Sequence, residues 1–216
     1  MQTMPADIKP IIQYILETFI ANEKSRLTVG IAGCPGAGKS TISELILKAL
    51  QENKISKNSV LVPMDGFHLD NKILKKRNLL SKKGAPETFD INGYIELLNR
   101  IQNNQDDIFS PYFDRNLDLA KAGAISINRK HKIVITEGNY LLLKQEPWSK
   151  VKNYLDLTIF IDADLEVLKH RLKLRWLDLG LSEAEATQKV ELNDLPNAIF
   201  IKKHSNKAGF TFFNND

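Results

Sequence analysis

The sequence predicts an α/β fold, a three-layer sandwich with a mainly parallel central sheet and helices on both faces. Three observations carry that expectation. Short, continuous apolar runs recur along the chain, as strands buried on both faces do. Stretches with helical apolar spacing alternate with them. Four of the runs close on Gly33, Asp65, Glu137 and Asp162, and residues at the carboxyl ends of parallel strands share one edge of a sheet.

The elements follow in order. Ile8, Ile11, Ile12, Ile15, Leu16 and Phe19 keep helical spacing and predict an amphipathic helix in residues 1–24, packed on the core. Residues 25–216 form the main domain. In it, Arg26 to Ala32 reads as a buried strand and Ser40 to Leu50 as a helix. Ser59 to Met64 is a short strand ending at Asp65. Gly66 to Asp90 is polar, Lys-rich and carries no clear period. Ile91 to Ile101 is helical, Lys132 to Thr136 is a strand ending at Glu137, and Leu155 to Ile161 is a strand ending at Asp162. Asp164 to Leu179 is helical, and Ser182 with Glu185 has the spacing of a capping box. Ala198 to Lys202 and Phe210 to Phe213 read as short strands.

With 216 residues, the chain suits one domain with small additions. Apolar content of 43% and charged content of 26% are those of a soluble fold. No apolar run approaches the about 20 residues of a membrane span, and no basic start precedes an apolar stretch, so neither a membrane nor a signal peptide is expected. Cys34 is the single cysteine, consistent with a cytoplasmic location. The net charge of +4 comes mostly from scattered lysines, without a basic run interleaved with aromatics, so nucleic acid is not an expected partner. Monomer and homodimer are equally compatible with the sequence.

Gly33-Cys34-Pro35-Gly36-Ala37-Gly38-Lys39-Ser40 matches Gly-x-x-x-x-Gly-Lys-Ser and lies between a predicted strand and a predicted helix, which makes it a P-loop. Backbone N–H groups of such a loop, with Thr41 continuing it, grip phosphate oxygens. Lys39 is placed to reach the β- and γ-phosphates and Ser40 to ligate Mg²⁺. The fold expectation sharpens to a P-loop NTPase sandwich binding a nucleoside triphosphate with Mg²⁺; ATP as that nucleotide is what the resemblance described below implies. Cys34 contributes its backbone more than its thiol.

Phosphoryl transfer to an alcohol needs carboxylates as well. Glu137 ends an apolar strand, where a Walker B carboxylate belongs, or where a surface acid does. Asp65 precedes Gly66 and is a candidate base, although Asp-Gly also favours turns. Asp162-Ala163-Asp164 looks more like a helix cap.

Four further segments occur in order: Pro63-Met64-Asp65-Gly66-Phe67-His68, Lys83-Gly84-Ala85-Pro86-Glu87-Thr88-Phe89-Asp90, Pro111-Tyr112-Phe113-Asp114-Arg115 and Glu137-Gly138-Asn139-Tyr140. With the P-loop, they make residues Leu27 to Ile201 resemble the phosphoribulokinase/uridine kinase family, which includes bacterial pantothenate kinase. Asn193-Asp194-Leu195-Pro196-Asn197-Ala198 is similar to a subgroup of small bacterial proteins named fructose transport system kinases or uridine kinase-like hydrolases. The resemblance implies Asp65 as catalytic base and Glu137 near magnesium. It implies Lys39, Arg171 and Arg175 as cations at the transferred phosphoryl, the two arginines on a lid around 171–190. Spacing alone puts that pair on one helix face and would equally suit surface arginines. His68, Arg77, Lys83, Tyr112, Arg115 and Asn139 lie in segments that line the acceptor pocket of relatives. Read singly, His68 could be a packed histidine, Tyr112 core, Arg77 and Lys83 exposed loop charges, and Arg115 the partner of Asp114 or another acid.

The expected activity is ATP-dependent phosphorylation of a small metabolite's hydroxyl. A sugar is the first acceptor expected, followed by a nucleoside or a pantothenate-like alcohol. A nucleotide-hydrolysing switch or assembly factor is the rival, but no Asn-Lys-x-Asp segment supports guanine reading.

Overall fold

The computed structural model describes residues 7–22 and 24–215. Residues 1–6 and 23, part of the N-terminal segment predicted above, lie outside the described residues. Strands β1 (Leu27–Gly33), β2 (Ser59–Pro63), β5 (Ile133–Gly138), β6 (Leu157–Asp162) and β7 (Phe210–Phe213) form one parallel sheet in the order β2-β5-β1-β6-β7. Helices flank it, which is the predicted α/β architecture. Every residue of β1 and β5 is buried, and this is why both read as unbroken apolar runs rather than as alternation.

Helix α1 (Lys9–Ala21) begins with Pro10 in its first turn, where the missing N–H costs nothing. Ile11 and Ile15, one turn apart, are completely buried against the core. Burying each stabilises by roughly 1.5–3 kcal/mol. Helix α2 (Lys39–Glu52) presents Ile42, Ile46 and Leu50 to the sheet on one face.

The segment without a readable period, Gly66 to Asp90, is built from short pieces. These are a 3₁₀ turn at Met64–Phe67, helix α3 (Asn71–Lys76) and 3₁₀ turns at Leu80–Lys82 and Pro86–Thr88. None is long enough to show an apolar stripe. Helix α4 (Ile91–Gln102) follows, with the Asp90 side chain accepting from Gly93 N–H at its start.

Two strands were not foreseen. β3 (Ile108–Asp114) and β4 (Leu119–Ile127) form an antiparallel hairpin separate from the main sheet. Pro111 masks the first, because proline cannot donate to a ladder; the register shifts there, between Ser110 and Tyr112. The irregularity serves a contact. A Cβ on Gly66 would lie 2.3 Å from the Pro111 carbonyl oxygen, so only glycine lets the hairpin press on the turn carrying Asp65.

Ala198 to Lys202 is helix, not strand, inside α7 (Leu195–His204). Its β-branched residues suggest a strand locally, but Pro196 in the first turn and burial of Ala198 and Ile201 three residues apart are helical features. Between it and α6 (Glu183–Lys189) lies one π-helical turn, Val190–Asp194. The capping box at Ser182 and Glu185 forms as expected. Helix α5 (Leu165–Asp178) starts after β6. Asp162 does not cap it: its Oδ1 accepts from Ala163 N–H and Lys202 Nζ, and Asp164, at the cap position, makes no side-chain cap bond.

Candidate active site

β1 occupies the centre of the sheet, and the loop after it opens where the chain connections diverge, the usual ligand crevice of such sheets. Gly36 and Gly38 have φ of 78° and 88°, which side-chain-bearing residues rarely adopt, and Gly38 is the residue before α2. The backbone thereby turns back on itself, and the first-turn amides of α2 have no intrahelical acceptor. An anion is the natural partner for such amides. Cys34 is buried, its Sγ donating to Ala198 O at 3.4 Å, and burial pushes its thiol pKa up to about 11. It is a packing residue with an inert thiol.

Lys39 is 8% exposed, and its Nζ donates to Cys34 O at 3.0 Å. Burial lowers its pKa, and the Glu137 and Asp65 carboxylates work against that. The sheet places Glu137 opposite Ile31 of β1 and Pro63 of β2, between the loop strand and the strand leading to Asp65. Glu137 is 5% exposed, so it is not a surface acid. Its Oε1 accepts from Ser40 Oγ at 3.1 Å. Burial and the Asp65 charge raise its pKa to about 7, against Lys39, Ser40 and Arg115. A hydroxyl and a carboxylate in contact make a hard-oxygen pair of the kind Mg²⁺ prefers. Among the described residues no group of three His, Cys, Asp or Glu could hold a metal ion, so such an ion would take its other ligands from phosphates and water.

Asp65 sits in the 3₁₀ turn just beyond β2 rather than at the strand end. Its Oδ2 accepts from Arg115 Nη2 at 2.9 Å. Arg115 therefore pairs with Asp65 across the hairpin; Asp114 pairs with Lys121. His68 Nδ1 lies 2.8 Å from the Asp65 carbonyl oxygen, which can only accept, so that nitrogen carries the proton. The His68 ring lies 4.1 Å from Phe89 and 4.5 Å from Phe113 by centroids, and burial lowers its pKa. It is a packed, neutral histidine beside the site.

Lys83 Nζ bonds Asn71 Oδ1 and Asp118 Oδ1 at 2.8 and 2.7 Å, latching the hairpin tip to α3. Tyr112 is 47% exposed, which removes the core reading. Asn139 is half-buried directly after β5. Arg77 is exposed at the end of α3, where its backbone N–H bonds Ile73 O; among the described residues its side chain forms no hydrogen bond or ion pair, so no contact draws it into this cluster.

On α5, the Leu172 side chain and the Leu168 carbonyl oxygen lie against the loop at Gly36. Arg171 Nη1 donates to Asn214 O at 3.0 Å and reaches Gly36 O at 3.4 Å. Arg175, one turn on, has an exposed side chain whose charge bears on Arg115, Asp194 and Asp65. Arg171 thus touches the loop, and Arg175 follows it one turn along the same helix. Asn214 also donates from Nδ2 to Ala37 O at 2.8 Å. No local pattern marks Asn214; β7 brings it there by pairing with β6. A cavity of about 600 Å³ opens at Phe89, the ring that packs on His68, with Ala85, Trp148, Asn193, Pro196 and Phe200 also in its wall.

The sequence profile of the Phosphoribulokinase / Uridine kinase family matches residues 28–177. The chain belongs to this family. A Schizosaccharomyces pombe protein provisionally named uridine kinase is 32% identical over 192 residues, covering 86% of this chain and 82% of its own length. The solved structure of a protein from Silicibacter sp. TM1040, provisionally named fructose transport system kinase, is 37% identical with a TM-score of 0.88; the match covers 96% of this chain and 99% of that one. The pantothenate kinase of Enterococcus faecalis is 32% identical over 137 residues, 63% of this chain but 45% of that enzyme. Their shared chemistry is that of a P-loop kinase, and this chain is a kinase of the phosphoribulokinase/uridine kinase family.

Proposed function

We propose that the protein transfers the γ-phosphoryl group of ATP to a hydroxyl of a small metabolite, a sugar first among the candidates. One observation carries the reading: the Asp65 carboxylate, held by Arg115, shares its electrostatic surroundings with Lys39 and Glu137 beside the phosphate-binding loop. A hydrolase needs to activate only water, whereas a carboxylate held in place beside the loop suits taking the proton of an alcohol acceptor.

In this mechanism, loop amides from Gly33 to Thr41 seat the triphosphate. Lys39 leaves the Cys34 carbonyl for the β- and γ-phosphates, exchanging a neutral acceptor for an anionic one. Ser40 and Glu137 would hold Mg²⁺, which would neutralise charge on the phosphate oxygens. Asp65 takes the proton from the acceptor hydroxyl as its oxygen attacks the γ-phosphorus and the bond to the β-phosphate oxygen breaks. Arg171 and Arg175 stabilise the charge spread over the transferred group, on a lid around 171–190. His68, Lys83, Tyr112, Arg115 and Asn139 border the acceptor, and Arg77 joins them only if α3 shifts toward the site. The sugar preference is supported by the name of the Silicibacter protein, the nucleoside and pantothenate-like alternatives by those of the other two relatives.

The test is ADP release with ATP, Mg²⁺ and a panel of sugars, nucleosides and pantothenate-like alcohols. Acceptor-dependent release is expected. ATP turnover that ignores every acceptor but rises with a protein or nucleic acid would overturn the reading in favour of a switch.

A further inference from the structure

Glu137 and Asp194 are the two buried carboxylates among the described residues, and phosphoryl transfer uses only the first. Asp194 is 8% exposed and ends the π-helical turn joining α6 to α7. Such turns, one residue wider than an α-helical turn, are frequent at functional sites. Its Oδ2 accepts from Trp176 Nε1 at 2.7 Å, tying the turn to the outer part of α5. Two cations gather on the same indole: the Arg175 guanidinium carbon is 5.9 Å from the ring centroid and Lys189 Nζ is 5.5 Å from it.

Architecture alone does not call for a charge here. A neutral amide oxygen would accept the indole proton equally well, and a buried carboxylate costs several kcal/mol unless a cation answers it. Burial does raise the Asp194 pKa, with the Trp176 bond, Arg175 and Lys189 opposing it. Of the two cations, Arg175 also bears on Asp65 and Arg115, one helical turn beyond the arginine that touches the phosphate loop. The geometric link runs through Trp176, whose ring carries the guanidinium and whose N–H is held by Asp194.

We infer that Asp194, fixed by Trp176, is a positioning residue that orients the Arg175 guanidinium toward the outermost phosphate of a nucleotide seated on the Gly33–Ser40 loop. The inference rests on the kinase reading above. Its signature is selective, because the loop amides hold the inner phosphates without help from Arg175. Losing the orienting charge therefore weakens a triphosphate and spares a diphosphate.

The test compares the magnesium complexes of ADP and of the non-hydrolysable triphosphate adenylyl imidodiphosphate by titration calorimetry. Asp194→Asn keeps the volume and an acceptor for Trp176. It is expected to weaken the triphosphate analogue about tenfold, within the coupling range of neighbouring charged residues, and to leave ADP within about twofold. In an Arg175→Ala background, Asp194→Asn is expected to add nothing. Equal weakening of both nucleotides, no weakening of either, or a full additional loss in the Arg175→Ala background would each overturn the inference. Lys39→Ala separates it from the kinase reading. If the wild type binds and Lys39→Ala does not, the nucleotide site stands whatever Asp194 does. If the wild type binds neither nucleotide, both readings fall.

Discussion

Arg115, on the tip of the β3–β4 hairpin, donates from Nη2 to Asp65 Oδ2 at 2.9 Å, joining two residues 50 positions apart. Its side chain is 50% exposed, so the pair contributes at most about 1 kcal/mol to stability. In the proposed mechanism its larger effect is to hold the carboxylate where the acceptor hydroxyl would approach. Arg115→Ala is expected to change unfolding free energy by less than about 1 kcal/mol and to raise the acceptor KM roughly tenfold, with ATP KM unchanged. Steady-state kinetics and chemical denaturation check both halves.

Asp65→Asn tests the base itself. The amide keeps the size and can still meet Arg115 through its oxygen, but it cannot take a proton. Nucleotide affinity is expected to persist while transfer falls by at least ~100-fold, the usual scale of general-base loss. Near-normal turnover would remove Asp65 from the mechanism.

Glu137 makes the ligand-free protein sensitive to pH. Its folded pKa of about 7 lies above the model-compound value of 4.5, so the folded state holds the proton more tightly. Stability from this group is therefore present at low pH and is lost as pH rises from about 4.5 to about 7. Glu137→Gln removes the penalty. In the absence of nucleotide and Mg²⁺ it is expected to be more stable than wild type at pH 8, by on the order of 1–3 kcal/mol. At pH 4 the two should converge. Denaturation at both values checks the sign, and loss of Mg²⁺-dependent activity is expected alongside.

Arg26 anchors the start of β1 from below. It is 3% exposed and donates to three main-chain carbonyls, of His131, Ile101 and Asn128, at 3.0, 3.0 and 2.7 Å. Arg26→Met preserves the aliphatic stem but removes a donor from each carbonyl. Ile101 O and Asn128 O keep main-chain partners, from Asn104 and His131 N–H, so among the described residues His131 O alone loses its donor. A loss of roughly 1–3 kcal/mol is expected, the cost of one unmet buried polar group. Nucleotide affinity of the folded fraction should not change.

Much of this architecture can be read locally. The parallel strands declare themselves because both faces are buried, and the phosphate loop does so because its glycine backbone and Lys-Ser chemistry occupy eight consecutive residues. The capping box at Ser182 is likewise a four-residue pattern. Where local preference and packing disagree, as in Ala198 to Lys202, packing prevails and a strand-like run becomes helix. Where a proline interrupts a strand, as at Pro111, the strand disappears from view.

The sequence by itself determined the P-loop, the strand-end acid Glu137 and the helical pairing of Arg171 with Arg175, because each depends on neighbours a few residues away. Tertiary structure alone decided the partners. Arg115 chooses Asp65 over the adjacent Asp114, Lys83 is taken by Asp118, and Trp176 finds Asp194. These contacts depend on where the hairpin and the α6–α7 turn dock, and docking is set by burial summed over the whole core. A side chain's partner in space leaves no period in the sequence that could reveal it.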